Sequence, residues 1–228
     1  MVIKNGISIK NKKGAVEIMK FNYEEISTAM LIRWIDNLAY IPKSEKALLL
    51  KISYLLMKDR STLFKEYDKL FTEENHSLSL NDEKLDLSFE NKKKILTTLI
   101  DFSEDILPLG SVVTLKNENL KDKEGRKIKI IISQRFLSNE KSGLYFTYSG
   151  TIYPTGNVEK DKLLHFNEIA IKEVIYKGYS DDLDLAFVLT MKNELILERG
   201  LRSITFANAK EEDLFKREIS IREDKKDE

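Results

Sequence analysis

The chain offers few side chains with the chemistry and spacing of a catalytic or metal site. Its two histidines, His76 and His165, lie far apart, and neither stands in an HxH or HExxH pattern that would hold zinc. The sequence contains no cysteine, no GxSxG serine elbow and no GxxxxGKS/T or GxGxxG phosphate loop. We therefore predict a protein that is not an enzyme and has no catalytic residues, no metal site and no cofactor.

Two acidic clusters have the composition of a cation site but fit simpler structures. Residues 81–86, NDEKLD, lack the glycine at position six of a calcium-binding loop, so we interpret them as a solvated linker. Asp181, Asp182 and Asp184 directly follow Ser180. We expect Ser180 to cap a helix whose positive N-terminal end favours these carboxylates.

A third acidic cluster, Asp101, Glu104 and Asp105, closes a predicted helix before Pro108. The residue before a proline is disfavoured in helical geometry, so the helix must end in this region. We expect the three carboxylates to lie in a solvated turn, because charged side chains are rarely buried.

The charge balance disfavours a nucleic-acid partner. The 228 residues contain 38 Lys and Arg against 38 Asp and Glu, whereas nucleic-acid-binding proteins usually carry a clear positive excess. No apolar run has the length of a membrane-spanning helix, and no signal peptide is visible. Together with the lack of cysteine, these features predict a cytoplasmic protein without membrane insertion.

Glycine divides the chain into two halves, because seven of the nine glycines lie from Gly110 onward. A region without glycine that is rich in Leu, Ile, Lys and Glu is typical of helices. We predict a basic N-terminal arm at residues 1–21, a helical domain at 22–106, a small β-sheet domain with a closing helix at 107–200, and a charged tail at 201–228.

Apolar periodicity predicts four helices in the first half, at about residues 23–39, 44–60, 61–74 and 89–102. Asn22 is suited to cap the first helix, where Trp34 belongs to the apolar face and is better explained as a core anchor than as a binding residue. In the second helix we expect Leu55 to face inward. Residues 75–87 are polar and predict a loop.

From residue 109 onward the apolar period changes to two, which predicts four or five short strands. One predicted apolar face contains Leu144, Phe146, Tyr148 and Ile152. The sequence thus predicts an α+β fold, in which an N-terminal helical domain is followed by a small curved antiparallel sheet or partial barrel packed by a C-terminal helix. A further short helix is predicted near residues 209–220.

Three ordered motifs in the second half carry a family resemblance. They read LPLGSVV from residue 107, YSGTIYPTG from residue 148 and VIYKGY from residue 174. We interpret their glycines and prolines as a structural motif of turns and bends, formed by Pro108, Gly110, Gly150, Pro154, Gly156 and Gly178. Over about residues 107–185 the chain resembles a domain-of-unknown-function family of Gram-positive bacteria, encoded beside type VII secretion loci with LXG toxins.

The resemblance implies an accessory role in toxin export and brings no catalytic residues with it. Its setting implies a non-enzymatic adaptor or chaperone-like targeting factor that binds an LXG-type toxin or another type VII secretion component. The helical first half lies outside the resemblance, and its apolar surface can receive a partner helix by helix-in-groove packing. The sequence leaves the oligomeric state open.

Two other functions stay open at this point. An immunity protein for the cognate toxin fits the same genetic setting, and killing of a deletion strain by its sibling toxin would identify it. A nucleic-acid-binding small barrel would use the aromatic side chains of residues 145–153 beside Lys127, Lys129 and Arg135 to stack bases. The balanced charge favours a core role for these aromatics instead.

Overall fold

The structure, a computed structural model, describes residues 8–10, 16–18, 21–139, 141–156, 163–206, 212–213 and 216–217. It begins with an antiparallel hairpin of two short strands, β1 (Ser8–Lys10) and β2 (Val16–Ile18). The rest of the predicted basic arm lies outside the described residues. So does most of the predicted tail helix, of which residues 212–213 and 216–217 are described and helical.

The four predicted helices of the first half are confirmed, with small shifts at their ends. They are α1 (Tyr23–Asp36), α2 (Lys46–Lys58), α3 (Arg60–Thr72) and α4 (Phe89–Ser103). Asn22 caps α1 as predicted, because its side-chain oxygen accepts a hydrogen bond from the backbone N–H of Glu25 at 3.2 Å. Leu55 is 48% exposed, so its predicted inward position is wrong. The buried stripe of α2 runs through Leu49 and Leu56 and leaves Leu55 at its margin.

The loop predicted at residues 75–87 is also wrong. This segment forms a hairpin of β3 (Leu78–Leu80) and β4 (Glu83–Leu85). Leu78 and Leu85 lie opposite each other in its register and are buried in the core that the helices form. The hairpin has only one such buried pair, and polar residues surround it, so the sequence shows no strand period.

The second half is an open six-stranded sheet. Its strands are β5 (Val112–Leu115), β6 (Lys129–Asn139), β7 (Leu144–Tyr153), β8 (Leu164–Phe166), β9 (Ile171–Tyr176) and β10 (Arg202–Ser203). The order is β10–β7–β6–β5–β9, and β8 also pairs with β7. All pairings are antiparallel except the parallel one between β10 and β7. The predicted α+β fold is confirmed, and the sheet does not close into a barrel.

The apolar face predicted for β7 is only partly right. Tyr148 is fully buried, but Ile152 is 38% exposed, and Tyr145 on the predicted opposite face is only 2% exposed. A β-bulge between Ile132 and Gln134 bends the β6–β7 pair, so one face of β7 changes its surroundings along the strand.

One further helix, α5 (Asp182–Lys192), follows the last long strand. Its cap is Asp181 rather than the predicted Ser180, because the Asp181 carboxylate accepts a hydrogen bond from the Asp184 N–H at 2.9 Å. The helix continues as a π-helical segment, Asn193–Glu198, and the chain turns at Gly200 with a φ of 62°.

Two hydrophobic clusters hold these elements together. The larger contains side chains of α1, α2, α3, α4 and α5, with Phe136 and Tyr145 from the sheet. The smaller lies within the sheet and consists of Val113, Leu115, Ile130, Ile132, Tyr148 and Phe166. The sheet therefore contributes to a core that it shares with the helices and to a core of its own.

Candidate protein-binding groove

Three residues of the predicted structural motif fasten β9 to the start of β5. The Pro108 carbonyl accepts a hydrogen bond from the Ser111 hydroxyl at 2.7 Å, and the same hydroxyl oxygen accepts one from the Gly178 N–H at 3.0 Å. The Gly110 N–H donates to a carbonyl of β6 at 2.8 Å. A Cβ at Gly178 would lie 2.1 Å from the Leu109 carbonyl oxygen, so only glycine fits there. We call these contacts the Ser111 clasp.

The other three motif residues shape the end of β7. A Cβ at Gly150 would lie 2.4 Å from the Ile131 carbonyl oxygen, which explains a residue without a side chain in mid-strand. The peptide before Pro154 is cis, and the Gly156 N–H closes the following turn on the Ile152 carbonyl at 2.7 Å. All six motif residues thus support the sheet, and none of them lines the groove described below.

The histidines and acidic clusters are dispersed over the structure. His76 packs edge-on against Phe89, and His165 lies on β8 with its ring 5.4 Å from that of Phe146. Within the described ranges, no group of three or more acidic or histidine side chains is arranged to hold a metal ion. None of the helices in these ranges is long and apolar enough to cross a membrane.

The aromatic and basic residues considered for nucleic-acid binding do not form one exposed platform. Tyr145 and Tyr148 are buried, so neither presents a ring face to a base. The Arg135 side chain is only 3% exposed and pairs with Asp184 at 2.5 Å. Lys127 pairs with a neighbouring carboxylate at 2.7 Å.

A groove of about 850 Å³ runs between α1, α4 and the chain from the π-helical segment to residue 206. The wall formed by α1 and the two residues after it contains Met30, Arg33, Trp34, Asn37 and Leu38. The wall formed by α4 contains Glu90, Asn91, Lys93, Lys94, Thr97, Thr98 and Asp101. The third wall contains Asn193, Ile196–Arg202 and Phe206. The groove therefore joins parts of the chain that are more than 150 residues apart in sequence.

The lining combines apolar and charged side chains. Trp34, Leu38, Ile196 and Phe206 are members of the large core and present their outer atoms to the groove. Trp34 is 8% exposed: most of its side chain lies in the core, as predicted, and the remainder lines the groove. The charged lining residues are the basic Arg33, Lys93, Lys94, Arg199 and Arg202 and the acidic Glu90, Asp101 and Glu198. Basic lining residues outnumber acidic ones by five to three, but ion pairs with Glu212 at 2.9 Å and Glu194 at 3.9 Å occupy Lys93 and Arg199. The attraction for an acidic ligand surface therefore rests on Arg33, Lys94 and Arg202.

Asp101 lies where the groove meets the protein interior. The predicted solvated turn is wrong here, because Asp101 is only 4% exposed. One carboxylate oxygen accepts a hydrogen bond from the Ser203 N–H at 3.1 Å, which ties α4 to β10. Burial raises the pKa of Asp101 to about 7, while the bond from Ser203 opposes this rise.

Glu104, also predicted to be solvated, is buried beside Lys192 at the end of α5. The Lys192 ammonium donates hydrogen bonds to the Phe102 carbonyl at 2.9 Å and to the Glu104 carbonyl. Burial lowers the pKa of Lys192 to about 8, and it raises the pKa of the Glu104 side chain well above its usual range. These groups join the end of α4 to the end of α5, where the third wall of the groove begins.

Comparison with known proteins identifies one segment of the chain. The sequence model of DUF4176, a domain of unknown function, matches residues 106–187. The chain carries a DUF4176 domain. This segment nearly coincides with the residues 107–185 on which the resemblance rests and covers a little over a third of the sequence. No curated protein and no solved structure matches the chain.

The DUF4176 match ends before the third wall of the groove. The walls on α1 and α4 and the segment from residue 193 to residue 206 all lie outside it. No local sequence motif marks this groove, because its walls approach each other only through the tertiary fold. The one local signal was the apolar face of α1 that contains Trp34.

Proposed function

We propose that this protein is a non-enzymatic accessory protein, an adaptor or chaperone-like targeting factor, for type VII secretion of LXG-type toxins. It acts in the cytoplasm by binding the toxin or another component of the secretion machinery. The DUF4176 domain supports this proposal through the family resemblance described above. The groove supports the binding mode, since it offers a concave surface between helices.

The occupant we propose for the groove is a helical segment of the toxin. A partner helix can lay its apolar side chains on Trp34, Ile196 and Phe206 and place polar residues toward the rims. The excess of basic residues in the lining favours a helix with acidic residues on its flanks. The observation that carries this mode is the position of Trp34 in the groove wall.

Trp34 is the only tryptophan of the chain, so its fluorescence reports on the groove alone. We expect titration with a tryptophan-free LXG domain to shift the emission of Trp34 to shorter wavelength, because the partner removes water from the indole. Arg33→Glu reverses one exposed charge of the rim and is expected to weaken binding about tenfold. Lys51→Glu, an equal change on the exposed side of α2, is the control and is expected to bind like the wild type.

Two results would contradict these proposals separately. Co-purification with the LXG protein without any change in Trp34 emission would place the binding site elsewhere and leave the accessory role intact. Normal toxin export from a strain that lacks this gene would reject the accessory role itself. Killing of that strain by its sibling toxin would favour an immunity protein instead.

A further inference from the structure

The edge strand β9 has an uncovered surface of unusual composition. Among the described residues it pairs only with β5, so its outer backbone edge has no strand beside it. All residues from 172 to 176 are exposed, including Val174 at 45%, Ile175 at 42% and Tyr176 at 61%. Three successive exposed apolar residues are unusual on an edge strand. Such an edge promotes association with another chain, so most proteins avoid it.

Exposed large hydrophobic residues also occur beyond the strand. Tyr179, Leu183 and Leu185 follow β9 in the sequence and are exposed, as is Leu109, whose carbonyl lies beside Gly178. The opposite edge of the sheet is different, since β8 has three residues and β10 has two. Short strands protect an edge from pairing, whereas β9 has six residues and the Ser111 clasp holds its end in place.

The charges around β9 are arranged symmetrically for antiparallel self-pairing. Glu173 and Lys177 lie two residues before and two residues after Ile175. When two copies of the strand pair with Ile175 opposite Ile175, each Glu173 lies opposite a Lys177. The neighbouring positions then place Val174 opposite Tyr176, which is a favourable pair of a β-branched and an aromatic residue.

Other central registers lack this agreement. Moving the pairing by one position toward Val174 places Lys172 opposite Lys177, and pairing centred on Glu173 places that carboxylate opposite itself. Pairing centred on Val174 or Tyr176 places no charged residue opposite another. The register centred on Ile175 is the one among these that gains opposite-charge pairs.

We propose that β9 is the docking site for a second copy of this chain. The two β9 strands pair in antiparallel fashion about a twofold axis at Ile175 and join the two sheets across the dimer. The register between β9 and β5 shifts at Lys172 and at Ile175, the residue on the proposed axis, and these irregularities shorten the regular length available for pairing. The interface is therefore small, and the dimer forms weakly and reversibly at high protein concentration. This inference does not depend on the proposed role in secretion.

The symmetry of the proposed contact provides a specific test. Glu173→Lys places lysines opposite each other twice, and Lys177→Glu places glutamates opposite each other twice. We expect each single variant to raise the dimer dissociation constant at least about tenfold in sedimentation velocity over a concentration series. An equimolar mixture of the two variants restores both opposite-charge pairs and is expected to form a heterodimer with about wild-type affinity.

Glu83→Lys on β4 and Lys51→Glu on α2 are matched charge reversals at exposed sites away from β9, and they are expected to dimerise like the wild type. Circular dichroism of every variant checks that the fold is retained. A wild-type chain that stays monomeric over the whole series would overturn the proposal. Single variants that dimerise normally, or a mixture that stays monomeric, would overturn it as well.

Discussion

The two halves of this molecule differ in how they expose apolar surface. Of the twelve exposed large hydrophobic residues in the described ranges, nine lie within residues 106–187 and three in the helical half. The helical half keeps its apolar side chains in the core and forms a groove with charged rims together with residues 193–206, whereas the described residues leave the outer edge of β9 uncovered. The halves therefore offer surfaces of different chemistry, suited to different partners.

The largest effect on this comparison is expected from substituting the groups that join the two halves. Lys192→Ala removes the ammonium that bonds the Phe102 and Glu104 carbonyls, and it leaves a cavity in the shared core. We expect the free energy of unfolding to fall by about 3–5 kcal/mol in urea denaturation. Lys84→Ala, a change at an exposed lysine of β4, is the control and should stay within about 0.5 kcal/mol.

A loss below about 1 kcal/mol for Lys192→Ala would show that the two helix ends do not depend on this ammonium. Lys192→Met separates packing from hydrogen bonding, because it keeps the unbranched side chain up to the position of Cε and removes the ammonium. The free energy of unfolding of Lys192→Met is expected to lie between those of the wild type and Lys192→Ala.

The second prediction concerns Asp101, which lies at the same junction and makes the free energy of unfolding depend on pH. Its pKa in the folded protein is raised to about 7, against about 4 in an unfolded chain. The folded protein therefore keeps a proton that the unfolded chain has released, and the resulting stabilisation is full below about pH 4 and lost as the pH rises through 7. Asp101→Asn removes this dependence.

We expect the stability difference between Asp101→Asn and the wild type to move in favour of the variant from pH 4 to pH 7, by up to about 4 kcal/mol. Chemical denaturation at a series of pH values measures this difference, in which the contributions of titrating groups that do not interact with Asp101 cancel. A difference that does not change with pH would contradict the burial of an ionisable carboxyl group at this site.

The third prediction affects only the sheet half. Gly178→Ala places a Cβ against the Leu109 carbonyl and opens the Ser111 clasp, with an expected loss of at least about 2 kcal/mol in thermal or urea unfolding. Gly125→Ala is the control, because its added Cβ meets nothing within 4 Å and only the φ of 79° is unfavourable. Its loss should be about 1 kcal/mol. Equal losses for the two variants would mean that the clasp has no specific contribution.

The smallest expected effects test most directly whether the groove and β9 are independent surfaces. Arg33→Glu should leave both the stability, within about 0.5 kcal/mol, and the self-association unchanged, while Glu173→Lys should leave the Trp34 fluorescence titration unchanged. The two residues belong to different surfaces, so their double variant should show the sum of the single effects. Coupling between them would mean that the groove and β9 serve one common partner.

Sequence reasoning predicted the fold where the pattern is local. The helices, the Asn22 cap and the strands follow from apolar periods and capping residues within short windows. It failed for Leu78 and Leu85, because a single buried pair in a short hairpin produces no period. Tyr145 was assigned to the wrong face because a bulge on the neighbouring strand changes the surroundings of β7.

The candidate site was less accessible to such reasoning. Asp101 and Glu104 have the sequence of a solvated helix end, and only the approach of β10 and Lys192, about 90 to 100 residues away, buries them. The six residues of the predicted structural motif lie in the sheet and its connections, and they do not mark the groove. Exposure of β9 could not be read from its sequence, since Val, Ile and Tyr are equally suited to a covered strand.

The distance in sequence between the walls of the groove has a consequence for protein synthesis. One wall belongs to α1, which ends at Asp36, and the third wall is complete only at Phe206. At a translation rate of about 5–20 residues per second, roughly 10–30 s separate the emergence of these two walls from the ribosome. A chain shorter than this therefore presents no complete groove, and a partner helix can bind there only after residue 206 has been made.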